Sequence, residues 1–240
     1  MRGLFSLVAF SVIVFLCVSC ADDTGFQYPE SKIWAHRVNN PDDANIKIKN
    51  FKGIEIDLIY NKATGQLVVS HDQNDINKQI TFRQYLQRIK KPNELYYWLD
   101  VKNLIDNTEA ICDTINHLAE VFQFKDRFFV ESWYAVALSR AKEKGITTSL
   151  WIDNLYDMKD MDTLKWLDNA RHKISIATPD ALSAEYRMWR LLVDYFPDNN
   201  IHLWHTPADY SEDNAKLTRE MCHDSHVKVV LVDYDKPISY

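Results

Sequence analysis

The chain predicts an α/β fold, a small (β/α)8 TIM barrel with a β-hairpin after the second strand. Three observations predict it. Nine β-rich apolar runs alternate with helix-patterned segments, and all but one of the runs act as principal strands. The 240 residues, 46% of them hydrophobic, suffice for one buried core. An open, doubly wound sheet is the alternative, but no Gly-rich phosphate loop follows any strand in a chain with only 5 Gly.

The strand-like runs are residues 33–35, 53–59, 67–70, 96–101, 128–131, 148–152, 174–177, 201–204 and 227–232, rich in β-branched and aromatic side chains. Run 67–70 follows 53–59 across Asn61-Lys62-Ala63-Thr64-Gly65, a short Gly-containing link that reads as a hairpin. Helices fill the remainder. Asn107 is placed to cap one that carries Ile111, Ile115, Leu118 and Phe122 on one face. Ser132 is placed to cap 133–144, which Gly145 ends. Further helices are expected near 42–51, 82–90, 158–170, 181–195 and 211–223.

The first twenty residues stand apart. Arg2 precedes an apolar stretch too short for a confident membrane span, which reads as a signal peptide. Its end, Leu16-Cys17-Val18-Ser19-Cys20, resembles a bacterial lipobox, with Cys20 as the lipidated residue. An ordinary cleaved signal is the other reading. The expected organisation is therefore signal and lipobox over 1–20, a polar tether over 21–31, and the barrel over 32–240. It implies an exported, membrane-anchored lipoprotein. Cys112 and Cys222 belong to no CxxC pair, which argues against a cysteine zinc site and leaves their pairing open.

A net charge of -6 argues against a nucleic-acid-binding protein, which needs a basic stripe. It does not exclude an anionic substrate, because a bound metal reverses the local field.

Four short pieces carry the chemistry. Glu55 and Asp57 lie two residues apart in a strand, so both face one side, while Ile54, Ile56 and Leu58 face the other. Asp100 and Lys102 repeat the pattern beside Leu99 and Val101. Carboxylates inside a barrel are costly unless paired or metal-bound; a solvated edge strand is the bland alternative. Three carboxylates suit Mg²⁺ or Ca²⁺ better than zinc. His36 and His71 end strands, where a barrel carries its active site, and histidine serves as base or acid near neutrality. Arg37 and Lys102 are candidates to clamp phosphate oxygens. Asp72 either orients an imidazole or caps the next turn. Glu131 either points to the mouth or caps a helix. Asn39, Trp133 and Trp204 are further pocket candidates, whereas His202 and His205 read as structural or exposed.

The order His36-Arg37, Glu55-x-Asp57, His71-Asp72 resembles the glycerophosphodiester phosphodiesterase family of the phosphatidylinositol phospholipase C-like superfamily. Leu203-Trp204-His205-Thr206 and Val229-Val230-Leu231-Val232-Asp233-Tyr234, with Pro237 behind, are similar to its last two strands, so the likeness spans about 33–237. The family's Glu-Asn-Thr segment is absent after His36-Arg37, and Asp100-x-Lys102 stands where the family has Glu-x-Lys. Both features, with Val38-Asn39, are similar instead to the sphingomyelinase/phospholipase D branch.

The resemblance implies a (β/α)8 barrel in which Glu55, Asp57 and Asp100 bind one divalent metal and His36 and His71 form the catalytic pair. It implies a phosphodiester hydrolase, or a cyclising lyase if a substrate hydroxyl attacks. The implied partners are a small phosphodiester or lysophospholipid substrate and, through the N-terminal anchor, a membrane. A non-catalytic surface lipoprotein barrel that binds a phospholipid or glycan is the alternative.

Overall fold

Alternation along the strands sorts the barrel into two layers, as a computed structural model of the protein describes for residues 26–160, 162–205, 209–236 and 238–240. The signal and lipobox expected over 1–20, with Cys20, lie outside the described residues, as do Thr206 and Pro237.

Strands β1 (Ile33–Ala35), β2 (Gly53–Asn61), β3 (Gln66–Val69), β4 (Tyr96–Val101), β5 (Phe128–Ser132), β6 (Thr148–Trp151), β7 (Ala181–Glu185), β8 (Asn200–His205) and β9 (Val227–Val232) form one sheet. Its order is β1-β9-β8-β7-β6-β5-β4-β2-β3, and β1 also pairs with β2. Eight parallel strands thus close into a TIM barrel, and β3 hangs antiparallel on β2 as the expected hairpin. Closure disposes of the open-sheet alternative. It also disposes of the solvated edge, since every residue of β2 is buried.

The helices are α1 (Pro41–Lys47), α2 (Phe82–Arg88), α3 (Thr108–Val121), α4 (Ala135–Glu143), α5 (Thr163–Ala177), α6 (Trp189–Tyr195) and α7 (Glu212–His223). Asn107 caps α3 as expected, accepting from Ala110 N. Gly145, at φ 76°, ends α4 in the left-handed region that glycine tolerates.

Ile54, Ile56, Leu58, Leu99 and Val130 face outward and pack under the helices. The inward set is separate: Trp34, Trp98, Phe129, Val229 and Leu231 fill the barrel's interior. Gly53 lies against this plug, where a β-carbon would overlap the Trp34 indole. His202, fully buried, stacks on Phe129 at 4.3 Å and bonds Ser149 Oγ and Tyr28 OH, each at 2.9 Å. It is a structural residue.

Four expectations need correction. The run 174–177 is the last turn of α5, not a strand. Its Ile174 and Ala177 extend a helix face, and Thr178 stops the helix at φ 41° just before Pro179. The strand at that place in the order is β7, whose small residues read as helical; inside a barrel, Ser183 is small enough to point inward beside the plug. Ser132 is no helix cap: it ends β5 and its Oγ donates to Val101 O, so α4 starts later without a side-chain cap. The tether expected over 21–31 is not free at its end. Phe26 packs on Phe129 at 5.7 Å and Tyr28 on His202 at 5.6 Å, so both close the barrel's N-terminal end.

Candidate active site

Register lines up the acids. Asp57 of β2 pairs with Asp100 of β4, which pairs with Glu131 of β5. One level deeper, Glu55 pairs with Trp98. Each side chain points inward because the pleat alternates, so four carboxylates from three neighbouring strands meet at the C-terminal mouth. A cavity of about 70 Å³ lies there, and His36, Arg37, His71 and Lys102 line it with them. A larger cavity of about 680 Å³ sits at the opposite end, among Lys52, Tyr96, Arg127 and Tyr240, away from the histidines.

Ligand atoms of Glu55, Asp57 and Asp100 lie within 4.8 Å of one another, all three residues buried. Lys102 Nζ bridges two of them, 2.5 Å from Asp57 Oδ1 and bonded to Asp100 Oδ2. One ammonium does not balance three carboxylates. Burial, then the Asp57 and Asp100 charges, push Glu55 well above the usual carboxylate range against the pull of Lys102. Burial likewise raises Asp100 even though Lys102 opposes it. Burial would lower the Lys102 ammonium, but Asp100 and Asp57 outweigh it and hold it above its ordinary value. Asp100 Oδ1 is buried with no hydrogen-bond partner. An acceptor-only cluster with surplus negative charge and an unpartnered oxygen fits a hard divalent cation.

The expected residues fall into distinct roles. Asn39 does not line the cavity; it fixes Asp57, donating to Oδ2 at 2.7 Å and accepting from its N–H at 2.9 Å. Arg37 stands at φ 51°, which turns its N–H onto Glu55 Oε2 at 2.6 Å and leaves its side chain exposed at the mouth. His71 follows the hairpin and is exposed on the rim. Asp72 caps the turn Gln73–Lys78, accepting from Asn74 N at 2.8 Å, and so does not orient an imidazole. Glu131 points inward rather than capping a helix. Its Oε2 accepts from Trp98 Nε1 at 2.7 Å, its Oε1 is unpartnered, and burial, aided by Asp100, pushes it up to about 8. Trp204 lines the cavity, and Trp133, on the rim, touches it only through Trp151.

Sequence reasoning missed three contributors. Asp233, just past β9, bonds His36 Nδ1 at 2.9 Å, leaving Nε2 4.0 Å from Glu55 Oε2. Its place at a strand end was the available signal. Trp98 and Trp151 also line the cavity. They sit at inward positions of their strands, but nothing distinguishes them from core tryptophans. His205, buried and stacked on Tyr186 at 4.5 Å, is structural as expected. Cys112 and Cys222 are both buried and free, on α3 and α7.

No family model and no curated protein matches this chain. Solved structures do. A Galdieria sulphuraria protein provisionally named a glycerophosphodiester phosphodiesterase aligns at TM-score 0.63 and 15% identity, over 87% of this chain and 96% of its own. A Parabacteroides distasonis glycerophosphodiester phosphodiesterase aligns at 0.59 and 18% identity, over 85% and 93%. A Thermotoga maritima glycerol uptake operon antiterminator-related protein aligns at 0.52 and 12% identity, over 87% and 97%. At such identities the likeness establishes the barrel. Function has to be argued from the side chains.

Proposed function

We propose that the chain is a metal-dependent phosphodiesterase acting on glycerophosphodiesters or phospholipid headgroups, with His36 and His71 as general acid and base. One observation carries this reading: both histidines share a cavity with a buried three-carboxylate cluster at the barrel mouth. The names of the Galdieria and Parabacteroides structures support it.

Glu55, Asp57 and Asp100 would hold one Mg²⁺ or Ca²⁺, which when bound supplies positive charge for a phosphoryl oxygen. Arg37, exposed at the mouth, adds a second cation for the diester. Lys102 bridges two of the carboxylates, its ammonium set between Asp57 and Asp100. Asp233 accepts from His36 Nδ1–H, which makes Nε2 the nitrogen that moves protons. His71 follows the hairpin and is exposed on the rim of the same cavity. One histidine removes the proton from the attacking water or substrate hydroxyl. The new P–O bond forms, the bond to the leaving alcohol breaks, and the other histidine protonates that oxygen. Water as nucleophile gives a phosphomonoester; a neighbouring hydroxyl gives a cyclic phosphate. Export and lipidation at Cys20 belong to the same proposal and rest on the Leu16-Cys17-Val18-Ser19-Cys20 motif.

The test is turnover of glycerophosphocholine and lysophosphatidylcholine by residues 22–240, followed by phosphorus NMR with Mg²⁺, Ca²⁺ or EDTA. Cleavage with metal and none with EDTA supports the reading, and the product resonance separates hydrolysis from cyclisation. A folded sample inert with every metal contradicts it and favours a binding barrel.

A further inference from the structure

The chain enters the barrel at the end opposite the active site, and it is fastened there. Phe26 packs edge-on to Tyr96 at 6.2 Å and to Phe129 at 5.7 Å, near the starts of β4 and β5. Tyr28 OH bonds the buried His202 ring at 2.9 Å. Tyr240 OH donates to Glu30 O at 3.1 Å and accepts from Lys32 N. Lys32 Nζ donates to Cys222 O and Asp224 O at 2.7 and 3.0 Å. The acidic cluster stands at the other end of the same strands. Asp100 is four residues beyond Tyr96 on β4 and lines the cavity with His36 and His71.

We infer that the N-terminal end of the barrel is the face that rests on the anchoring bilayer, with the active-site mouth turned away from it. The inference rests on the reading of Cys20 as lipidated. It narrows the phosphodiesterase reading, because headgroups of the bilayer that holds the chain do not reach the cavity. Reach argues first. Cys20 lies six residues before Phe26, so the two are at most about 20 Å apart however the chain between them runs. A diacylated cysteine sits at the bilayer surface, which brings Phe26 within that distance of it. Phe26 is seated against the plug inside the ring of strands, and the helices around that ring form a layer about 10 Å thick. The six residues of β4 add about 20 Å of height. To bring the mouth to the bilayer, the chain between Cys20 and Phe26 would have to pass under the wall and the helices and then climb that height, a path of about 30 Å or more. The N-terminal end needs no such detour. Charge argues second. From Ala21 on, the connections that lead into the strands of the barrel carry eight Lys and Arg against eight Asp and Glu. Those at the mouth, with the hairpin turn and the segment after β9, carry seven against ten. An anionic leaflet therefore repels the mouth and leaves the opposite face neutral toward it.

The experiment is energy transfer from a dye on the full chain, expressed with its signal, to rhodamine-labelled lipid in phosphatidylethanolamine/phosphatidylglycerol vesicles. Two variants carry the dye. Asp126→Cys lies before β5, at the N-terminal end, and Asp160→Cys lies after β6, at the mouth; both positions are exposed. Cys112 and Cys222 are buried, so the dye goes to the introduced thiol. Mass spectrometry of the N-terminal peptide reads the acylation of Cys20 in the same samples. The expected result is an acylated Cys20 and a larger loss of donor emission from position 126 than from position 160. An insert of about twelve Gly and Ser residues after Ala21 more than doubles the reach and leaves the barrel untouched, and it should shrink that difference. Equal transfer from the two positions, stronger transfer from position 160, or a difference that the insert does not change overturns the inference. So does a Cys20 that carries no lipid. The two readings fail separately, because neither readout needs turnover. An unacylated Cys20 removes the anchor and the orientation and leaves the phosphodiesterase reading standing. An acylated chain with its mouth on the bilayer removes the orientation alone, and an inert chain with the expected transfer removes the phosphodiesterase reading alone.

Discussion

His36 Nδ1 lies 2.9 Å from a carboxylate oxygen of Asp233, 197 positions further along the chain. The first and last strands bring them together, with His36 N donating to Val232 O at 3.0 Å. Asp233 is a positioning residue: it holds one tautomer and one ring orientation. Asp233→Ala is expected to lower kcat by about 10- to 100-fold with little change in KM. Asp233→Asn can still accept from Nδ1–H and should recover most of that loss. Steady-state kinetics of both variants check this, and equal losses in the two would count against an orienting role.

Lys102 is the cation that offsets the buried acidic cluster. Its removal leaves Asp57 and Asp100 buried and facing each other. Lys102→Met is expected to destabilise the protein in EDTA by about 3 kcal/mol, as breaking a buried ion pair does. Mg²⁺ or Ca²⁺ should then raise its melting temperature more than it raises that of the wild type. Thermal melts with and without metal decide the point; a variant that melts like the wild type in EDTA contradicts it.

His202 makes stability depend on pH. Burial lowers its pKa from 6.5 to about 3, so the folded state holds it neutral. The unfolded chain takes up the proton first as pH falls. The stabilisation is therefore complete above pH 6.5 and is lost progressively as pH falls toward about 3. Between pH 7.5 and 5.5 this one group should contribute a loss of about 1.4 kcal/mol. Urea denaturation of wild type and His202→Gln at both values measures it. The variant should lose that much less than the wild type, and an equal slope in both would contradict the assignment.

Gly53 is required by close approach rather than by a turn. A β-carbon there would run into the Trp34 ring, which is fully buried in the plug. Gly53→Ala is expected to cost about 3 kcal/mol or more, measured by urea denaturation. A change under about 1 kcal/mol would mean that the indole can shift.

Much of this architecture is legible from local pattern. Glu55 with Asp57, and Asp100 with Lys102, could be placed on the inner face because the strand period of two is independent of tertiary context. The hairpin was legible because Gly65 marks its turn, at φ 69°. What escaped depends on surroundings. Residues 181–185 read as helix because Ala, Leu and Glu favour helices; a crowded barrel interior selects small inward residues instead. Phe26 and Tyr28 read as tether because two aromatics form no periodic pattern, yet they complete the plug. Asp233 and Trp151 act through partners remote in sequence, and no local spacing announces such a contact.

The most direct measurement is turnover of a phosphodiester by His36→Ala, His71→Ala and the double variant, in saturating metal. Two histidines that work as an acid–base pair in one cavity predict that each single variant loses about 10²- to 10⁴-fold in kcat. The double variant should lose little more than the worse single, because the pair acts as a unit. Near-wild-type turnover in either single variant would contradict the account.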